Sequence, residues 1–172
     1  MSSEKKRMNL IYNKILITAS LLLFFVGAQA QVSTRKLEAI YMYNFTKYIN
    51  WQNTGGEGHT IGVWEEEDVA SELEANLKNK GGISVKVVKT MAEAKKCEII
   101  YLPKTKSGQL NEIMSSAGND VLIVTEEDLA SKGASVSFVL DGSKLRFKIN
   151  QGALDKAGLQ ASSSLLSLAI LL

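Results

Sequence analysis

Apolar positions along this chain first run together, then recur every three or four residues, then alternate, and each pattern predicts a different element. Ile15 to Val26 is an apolar stretch broken only by Thr18 and Ser20. From Thr34 to about Gln52 the spacing becomes helical. At ~100° per residue, Leu37, Ile40, Tyr41, Asn44, Phe45, Tyr48 and Trp51 fall within an arc of roughly 140°. Lys36, Glu38 and Lys47 lie outside that arc or on its border. Asn44 stands near the middle of the stripe, where an amide left without partners costs about 1–3 kcal/mol. It is therefore expected to bond neighbouring backbone.

After a glycine-rich turn over Asn53 to Gly58, short apolar runs alternate with helical segments. Strands are expected at Thr60–Trp64, Ile83–Val88, Glu98–Leu102 and Asp120–Thr125, rich in β-branched residues. Helical segments at about Asp68–Lys80, Met91–Lys96 and Ser107–Ala117, with a turn near Glu127–Ser131, fall between them. Gly81-Gly82 and Gly118-Asn119 supply helix stops. Ser135–Leu140 and Lys144–Asn150 then read as a hairpin turning at Asp141-Gly142. Leu145, Phe147 and Ile149 alternate with Lys144, Arg146 and Lys148, giving one dry face and one wet. Helices over Gln151–Ala157 and Ser162–Leu172 finish the chain.

Strands alternating with helices imply an α/β fold: a single domain with a mostly parallel central sheet of about five to six strands. The C-terminal hairpin adds an antiparallel edge, and helices cover both faces. The length of 172 residues suits one such domain. The last helix carries Leu165, Leu166, Leu168, Ala169, Ile170, Leu171 and Leu172, more apolar circumference than one buried face requires. Part of it is expected to meet another chain.

The first apolar run changes the picture of location. Lys5, Lys6, Arg7 and Lys14 precede or border it, and Ala28-Gln29-Ala30 supplies small residues for a signal peptidase. About 12 apolar residues fall short of the roughly 20 that span a bilayer. Residues 1–30 are thus expected to be a signal peptide cleaved after Ala30, leaving 31–172 as the mature domain outside the inner membrane. The leader holds four basic residues and one acid, which leaves 16 Lys and Arg against 17 Asp and Glu. A near-neutral domain has no electrostatic basis for nucleic-acid binding.

Candidate chemistry is sparse. Cys97 is the only cysteine and His59 the only histidine. Zinc sites and classical catalytic triads need more such residues than that. Cys97 reads as a small buried apolar residue, His59 as a solvated one. The glycines at 55, 56 and 58 precede a strand rather than opening a helix, so they do not form a phosphate loop. Glu65, Glu66, Glu67 and Asp68 cluster where the first strand gives way to a helix. They either favour the first helical turn or, with Thr125, Glu126 and Asp128 after the fourth strand, line a small-ligand edge of the sheet. No catalytic residue, metal site or cofactor is expected.

Two segments carry a more specific likeness. Lys36-Leu37-Glu38-Ala39-Ile40-Tyr41-Met42-Tyr43-Asn44-Phe45-Thr46-Lys47-Tyr48-Ile49-Asn50-Trp51 resembles the helix that opens YfiR-family periplasmic proteins. Leu145-Arg146-Phe147-Lys148-Ile149-Asn150, with Ala153, Ala157-Gly158-Leu159, Ser162-Ser163 and Leu165-Leu166, resembles that family's C-terminal motif. The resemblance implies a non-catalytic periplasmic regulator that binds and represses a membrane-bound diguanylate cyclase, with homodimers typical. It points to Tyr41, Asn44, Phe45, Lys47, Trp51, Arg146, Phe147, Asn150, Ser162, Ser163 and Leu165 as scaffold or interface residues. Trp64-Glu65-Glu66-Glu67-Asp68 stands where the family often has a glycine and an Asp-Pro-Phe-like segment. Characterised repressors carry disulfides, which a single cysteine cannot form within one chain. The residues alone leave a second class open: a periplasmic small-molecule sensor using the acidic edge.

Overall fold

The structure, a computed structural model, describes residues 34–51 and 58–172. The expected signal peptide and most of the glycine-rich turn lie outside the described residues. Lys36–Leu172 form one compact unit. Helix α1 covers 34–48 and runs straight into a two-residue strand, β1 (Ile49–Asn50). The central elements are β2 (His59–Trp64), α2 (Glu67–Leu77), β3 (Ile83–Val88), α3 (Met91–Ala94) and β4 (Ile99–Leu102). A 3-10 helix (Lys104–Gln109) leads into α4 (Leu110–Ser116), followed by β5 (Leu122–Thr125) and the hairpin β6 (Val136–Asp141) and β7 (Lys144–Ile149). The end of the chain holds α5 (Gln151–Lys156), β8 (Gln160–Ala161), α6 (Ser163–Leu166) and β9 (Ile170–Leu171).

The seven-stranded sheet has the order β3-β2-β4-β5-β6-β7-β9, and β1 pairs separately with β8. All neighbours from β3 to β6 are parallel, and β6–β7 is the antiparallel hairpin. Such a sheet must be covered on both faces. One face buries Ile61, Val63, Ile99, Tyr101, Phe138 and Phe147 beneath α1 and α2. The other buries Ile100, Leu102 and Ile123 against Ala94 of α3 and Leu110 and Ile113 of α4. The α/β architecture expected from the alternating pattern is therefore the observed one. Among the described residues no helix is long and apolar enough to cross a membrane.

The face that α1 buries differs from the expected stripe. Glu38, Ala39, Met42, Phe45 and Thr46 are buried, whereas Leu37, Ile40 and Tyr48 are 41%, 40% and 47% exposed. Two polar side chains account for the rotation. The Glu38 carboxylate accepts a 3.0 Å hydrogen bond from the buried Tyr101 hydroxyl, and Thr46 donates to the Tyr43 carbonyl at 2.7 Å. Satisfied polar groups can sit in a core, and a periodicity count based on hydropathy excludes them. Trp51 is buried although the helix has already ended, so its place in the helical phase was coincidental. Asn44 is half-buried, and its amide makes no side-chain hydrogen bond with the described residues; the expected backbone tie is not formed.

Three local readings also change. The helix expected over Ser162–Leu172 is a single turn, because Ser162 caps α6 by accepting from Leu165 N at 3.3 Å and the chain then straightens. Ile170 and Leu171 pair in parallel with Lys148 and Ile149, adding an edge strand beyond the expected five to six. A short Leu/Ile run fits helix or strand equally well by periodicity. The hairpin turns at Gly142-Ser143 rather than at Asp141-Gly142, since Asp141 already pairs with Lys144. Gly142 has φ +62, and glycine at the first central position suits a two-residue turn of the II′ kind. His59, expected in a solvated loop, is half-buried as the first residue of β2 and meets the Trp51 ring edge-on at 4.8 Å. Burial lowers its pKa, against a smaller opposing pull from Glu98.

Candidate functional site

Strand order places one crevice where an open α/β sheet normally receives ligands. The chain leaves β2 toward β3 and leaves β4 toward β5, so the carboxyl ends of β2 and β4 flank a topological switch point. Trp64, Glu65 and Glu66 stand on one side of it, and the 3-10 helix Lys104–Gln109 on the other. The chain's own side chains bridge this crevice. Glu65 pairs with Lys106 Nζ at 3.1 Å and accepts from Gln109 Nε2 at 3.4 Å. The Trp64 indole N–H donates to the Gln109 carbonyl oxygen. Glu66 accepts from the Thr105 hydroxyl at 2.6 Å. Glu65 holds φ +52, a left-handed conformation uncommon for a non-glycine residue, which directs its carboxylate toward Lys106.

The remaining acids of the expected ligand edge are also engaged or dispersed. Asp128 pairs with Lys148 at 2.6 Å, Glu67 pairs with Lys89 at 2.9 Å, and Asp68 is exposed in the first turn of α2. Thr125 faces inward: its hydroxyl donates to the Glu127 carbonyl at 2.7 Å and lies 2.7 Å from Ser137 Oγ. Ser137 in turn accepts from Leu129 N at 3.0 Å. Thr125 is thus a buried tie between β5 and β6. Among the described residues no group of three His, Cys, Asp or Glu side chains could hold a metal ion. Thr105, Lys106 and Gln109 are the partners that reading the acidic cluster alone missed. Their signal was available, as a polar run shortly after β4.

The bridge should respond to acid. Hydrogen bonds from Lys106 and Gln109 hold the Glu65 carboxyl below its ordinary pKa. A depressed carboxyl stabilises the fold above its unfolded pKa and loses that contribution as pH falls through the lowered value. The Trp64 indole N–H resonance, followed by NMR on acid titration, should shift with a midpoint below that of a free glutamate. In Lys106→Met the midpoint should move back up; an unchanged midpoint would show that the lysine does not set it.

The family-motif residues divide into scaffold and surface. Tyr41, Phe45 and Phe147 come together with Phe138 in one aromatic cluster, with ring centroids of 5.1 Å for Tyr41–Phe147 and 5.3 Å for Phe45–Phe147. The Tyr41 hydroxyl donates to the Leu145 carbonyl at 3.2 Å, fastening α1 to β7. Asn150 accepts from Ala153 N at 2.9 Å, capping α5, and donates to the Ala130 carbonyl at 2.8 Å. Trp51 donates to the Glu98 carbonyl at 3.4 Å, and Leu165 is buried. Arg146 pairs with Asp141 at 3.3 Å on the wet face of the hairpin, and Ser163 is exposed. Lys47 is exposed and places its ammonium 5.3 Å from the Tyr43 ring centroid.

What remains in solvent on α1 is a continuous stripe. Leu37, Ile40, Asn44 and Tyr48 recur at helical spacing, and the first, second and last are large apolar side chains more than a third exposed. The YfiR/HmsC-like family profile matches residues 35–170. The chain belongs to the YfiR/HmsC-like family. The match begins in α1 and ends in β9, so both the aromatic cluster and the exposed stripe lie inside it. No curated protein matches the chain. Among solved structures, the ABC domain from Streptococcus pneumonia in complex with L-Trp is similar, with a TM-score of 0.59 at 15% identity. The alignment covers 75% of this YfiR/HmsC-like chain and 58% of that one. The chain therefore spans little more than half that neighbour's length, and the likeness concerns the fold alone.

Proposed function

We propose that this protein is a non-catalytic periplasmic regulator, exported with loss of residues 1–30, that binds and represses the periplasmic domain of an inner-membrane diguanylate cyclase. Family membership supports the regulatory class. The observation that carries the contact is the stripe of α1, where Leu37, Ile40 and Tyr48 stay in solvent on a helix whose opposite face is fully packed. Large apolar groups held in water on a rigid element gain free energy when a partner covers them, at roughly 25 cal/mol per Å². The C-terminal segment stays a second contact surface beside α1: α6 is one turn with Leu165 buried, but Leu168, Leu171 and Leu172 beyond it are exposed. Repression follows by population shift, through tighter binding to the inactive conformation of the sensor domain.

Capture from detergent-solubilised inner membranes tests the reading. Ile40→Glu changes an exposed position, so stability should stay within about 0.5 kcal/mol. Capture of a protein with diguanylate cyclase activity should fall at least about tenfold. Undiminished capture by a folded Ile40→Glu variant would remove α1 from the interface. Recovery of the protein from the cytosol with its leader intact would remove the periplasmic assignment.

The small-molecule alternative rests on the acidic edge at the carboxyl ends of the strands. Against it, the switch-point crevice is bridged by Glu65, Lys106 and Gln109. A thermal-shift screen separates the two readings, because a ligand specific for the native state must raise the melting temperature.

A further inference from the structure

We propose that the cavity at the amino ends of β5 and β6 binds a small organic acid, a carboxylate carried on a compact apolar body. Met114 of α4, Val121 just before β5, Ile123 within it and Ala153 of α5 form the apolar wall. Ser135, Asn150 and Lys156 bring polar groups to it, a lining typical of small-molecule sites. The cavity volume is about 240 Å³. An apolar cavity of about 150 Å³ admits benzene, so this one has room for a ring with a short tail. It lies at the opposite end of the parallel strands from the switch-point crevice and is lined by no Asp or Glu. No residue of α1 takes part in it, so the site is independent of the cyclase contact.

The polar groups that reach the cavity have donors to spare. Ser135 is buried, and its hydroxyl oxygen accepts from Ile123 N at 3.4 Å. The hydroxyl's own proton meets no acceptor among the described residues, and a buried donor left unpaired is costly. An acceptor that enters the cavity removes that cost. The Asn150 side chain accepts from Ala153 N and donates one N–H to the Ala130 carbonyl, which leaves its second amide N–H. Lys156 is exposed at the mouth and pairs with no carboxylate among the described residues. Two neutral donors and an ammonium, with no carboxylate among the lining side chains, suit a carboxylate ligand. A free amino acid is disfavoured, because its ammonium would find no counter-charge there.

The frame that holds these groups is rigid where the acid group would sit and adaptable where the apolar body would sit. Asn150 is tied both to α5 and to the Ala130 carbonyl, so its amide is oriented before any ligand arrives. The Asn150 backbone N–H donates to the Ser135 carbonyl at 3.0 Å, which keeps the two donor residues side by side. On the opposite wall, Gly133 has φ +106, and a methyl group there would run into Met114 Cε. The glycine therefore lets the Met114 side chain lie across one side of the cavity. A thioether side chain with three rotatable bonds adjusts to the shape of what it covers.

NMR titration of the purified protein tests the site, because shifts locate the ligand as well as measure its affinity. The probe is 3-phenylpropionate, with 3-phenylpropionamide as its neutral counterpart and L-phenylalanine as the same skeleton carrying an ammonium. Saturable shifts are expected at Ser135, Asn150 and Lys156, with a dissociation constant for the acid below about 1 mM. The amide and the amino acid should each bind at least about tenfold more weakly. Lys156→Gln changes an exposed position and should weaken the acid roughly tenfold while leaving the amide unmoved. Ser135→Ala should weaken both; if that variant fails to fold, Lys156→Gln decides. Equal binding of acid and amide, an acid affinity unmoved by Lys156→Gln, or shifts confined to the Glu65–Asp68 edge would overturn the proposal. So would the absence of any saturable shift up to about 10 mM probe.

Discussion

Phe45→Ala is expected to destabilise the domain by about 3–5 kcal/mol, the range for removing a buried aromatic ring. Phe45 is fully buried on α1. Its ring lies 5.3 Å from Phe147, 6.3 Å from Phe138 and 6.5 Å from Tyr41. The loss therefore includes the transfer of one side chain to water and the ring pairs it makes, each about 0.5–1.5 kcal/mol. Phe138 and Phe147 belong to strands fixed in the sheet and Tyr41 to α1 itself, so the rings cannot collapse into the space. Because a domain of this size has only about 5–15 kcal/mol of stability in total, the variant should unfold at much lower urea concentration. Urea titration followed by circular dichroism measures the change. A shift of under 1 kcal/mol would mean that α1 is not fastened through this cluster. The contrast with Ile40→Glu is informative, since the two residues lie on one helix: one substitution should remove the fold, and the other should remove only the contact.

That contrast also shows what the sequence made legible. The order of strands and helices followed from period and punctuation, because Gly81-Gly82 and Gly118-Asn119 mark breaks between the periodic segments. Tyr41, Phe45 and Phe147 were recognisable as members of a motif, and the structure brings them into one cluster. What could not be read was the rotation of α1. Glu38 counted as polar, yet Tyr101, some sixty residues away in sequence, gives it a buried partner. The acidic edge failed for the same reason. Glu65 and Glu66 announced charge, but their meaning depended on Lys106, Gln109 and Thr105 across the crevice. Long-range polar pairing leaves no periodic trace. The C-terminal run failed differently: its residues suit either helix or strand, and the open side of β7 decided in favour of β9.

Gly62 offers the sharpest test of how the second core is packed. A methyl group on this central β2 residue would lie 2.8 Å from Cys97 Sγ and 3.0 Å from both Ile100 Cδ1 and Val88 Cγ1. Two effects compete in Gly62→Ala. Restricting the unfolded chain favours the variant by about 0.4–1 kcal/mol, whereas overpacking costs about 1–3 kcal/mol. Three contacts this short, in a strand held on both sides by β3 and β4, make the clash the larger effect. Cys97 is the atom source of the shortest contact, and it is itself buried, its thiol donating to the Glu93 carbonyl at 3.5 Å. Burial raises the thiol's pKa, which keeps it protonated and inert beside the glycine. In Cys97→Ala the sulfur's space is vacated, and the new methyl of Gly62→Ala can enter it. The double variant should therefore be more stable than the sum of the two single losses by about 1–2 kcal/mol, a coupling within the range for residues in contact. Chemical denaturation of all four proteins closes the cycle. Simple additivity would mean that the lone cysteine does not occupy the room that the glycine leaves, and its burial would then need another explanation.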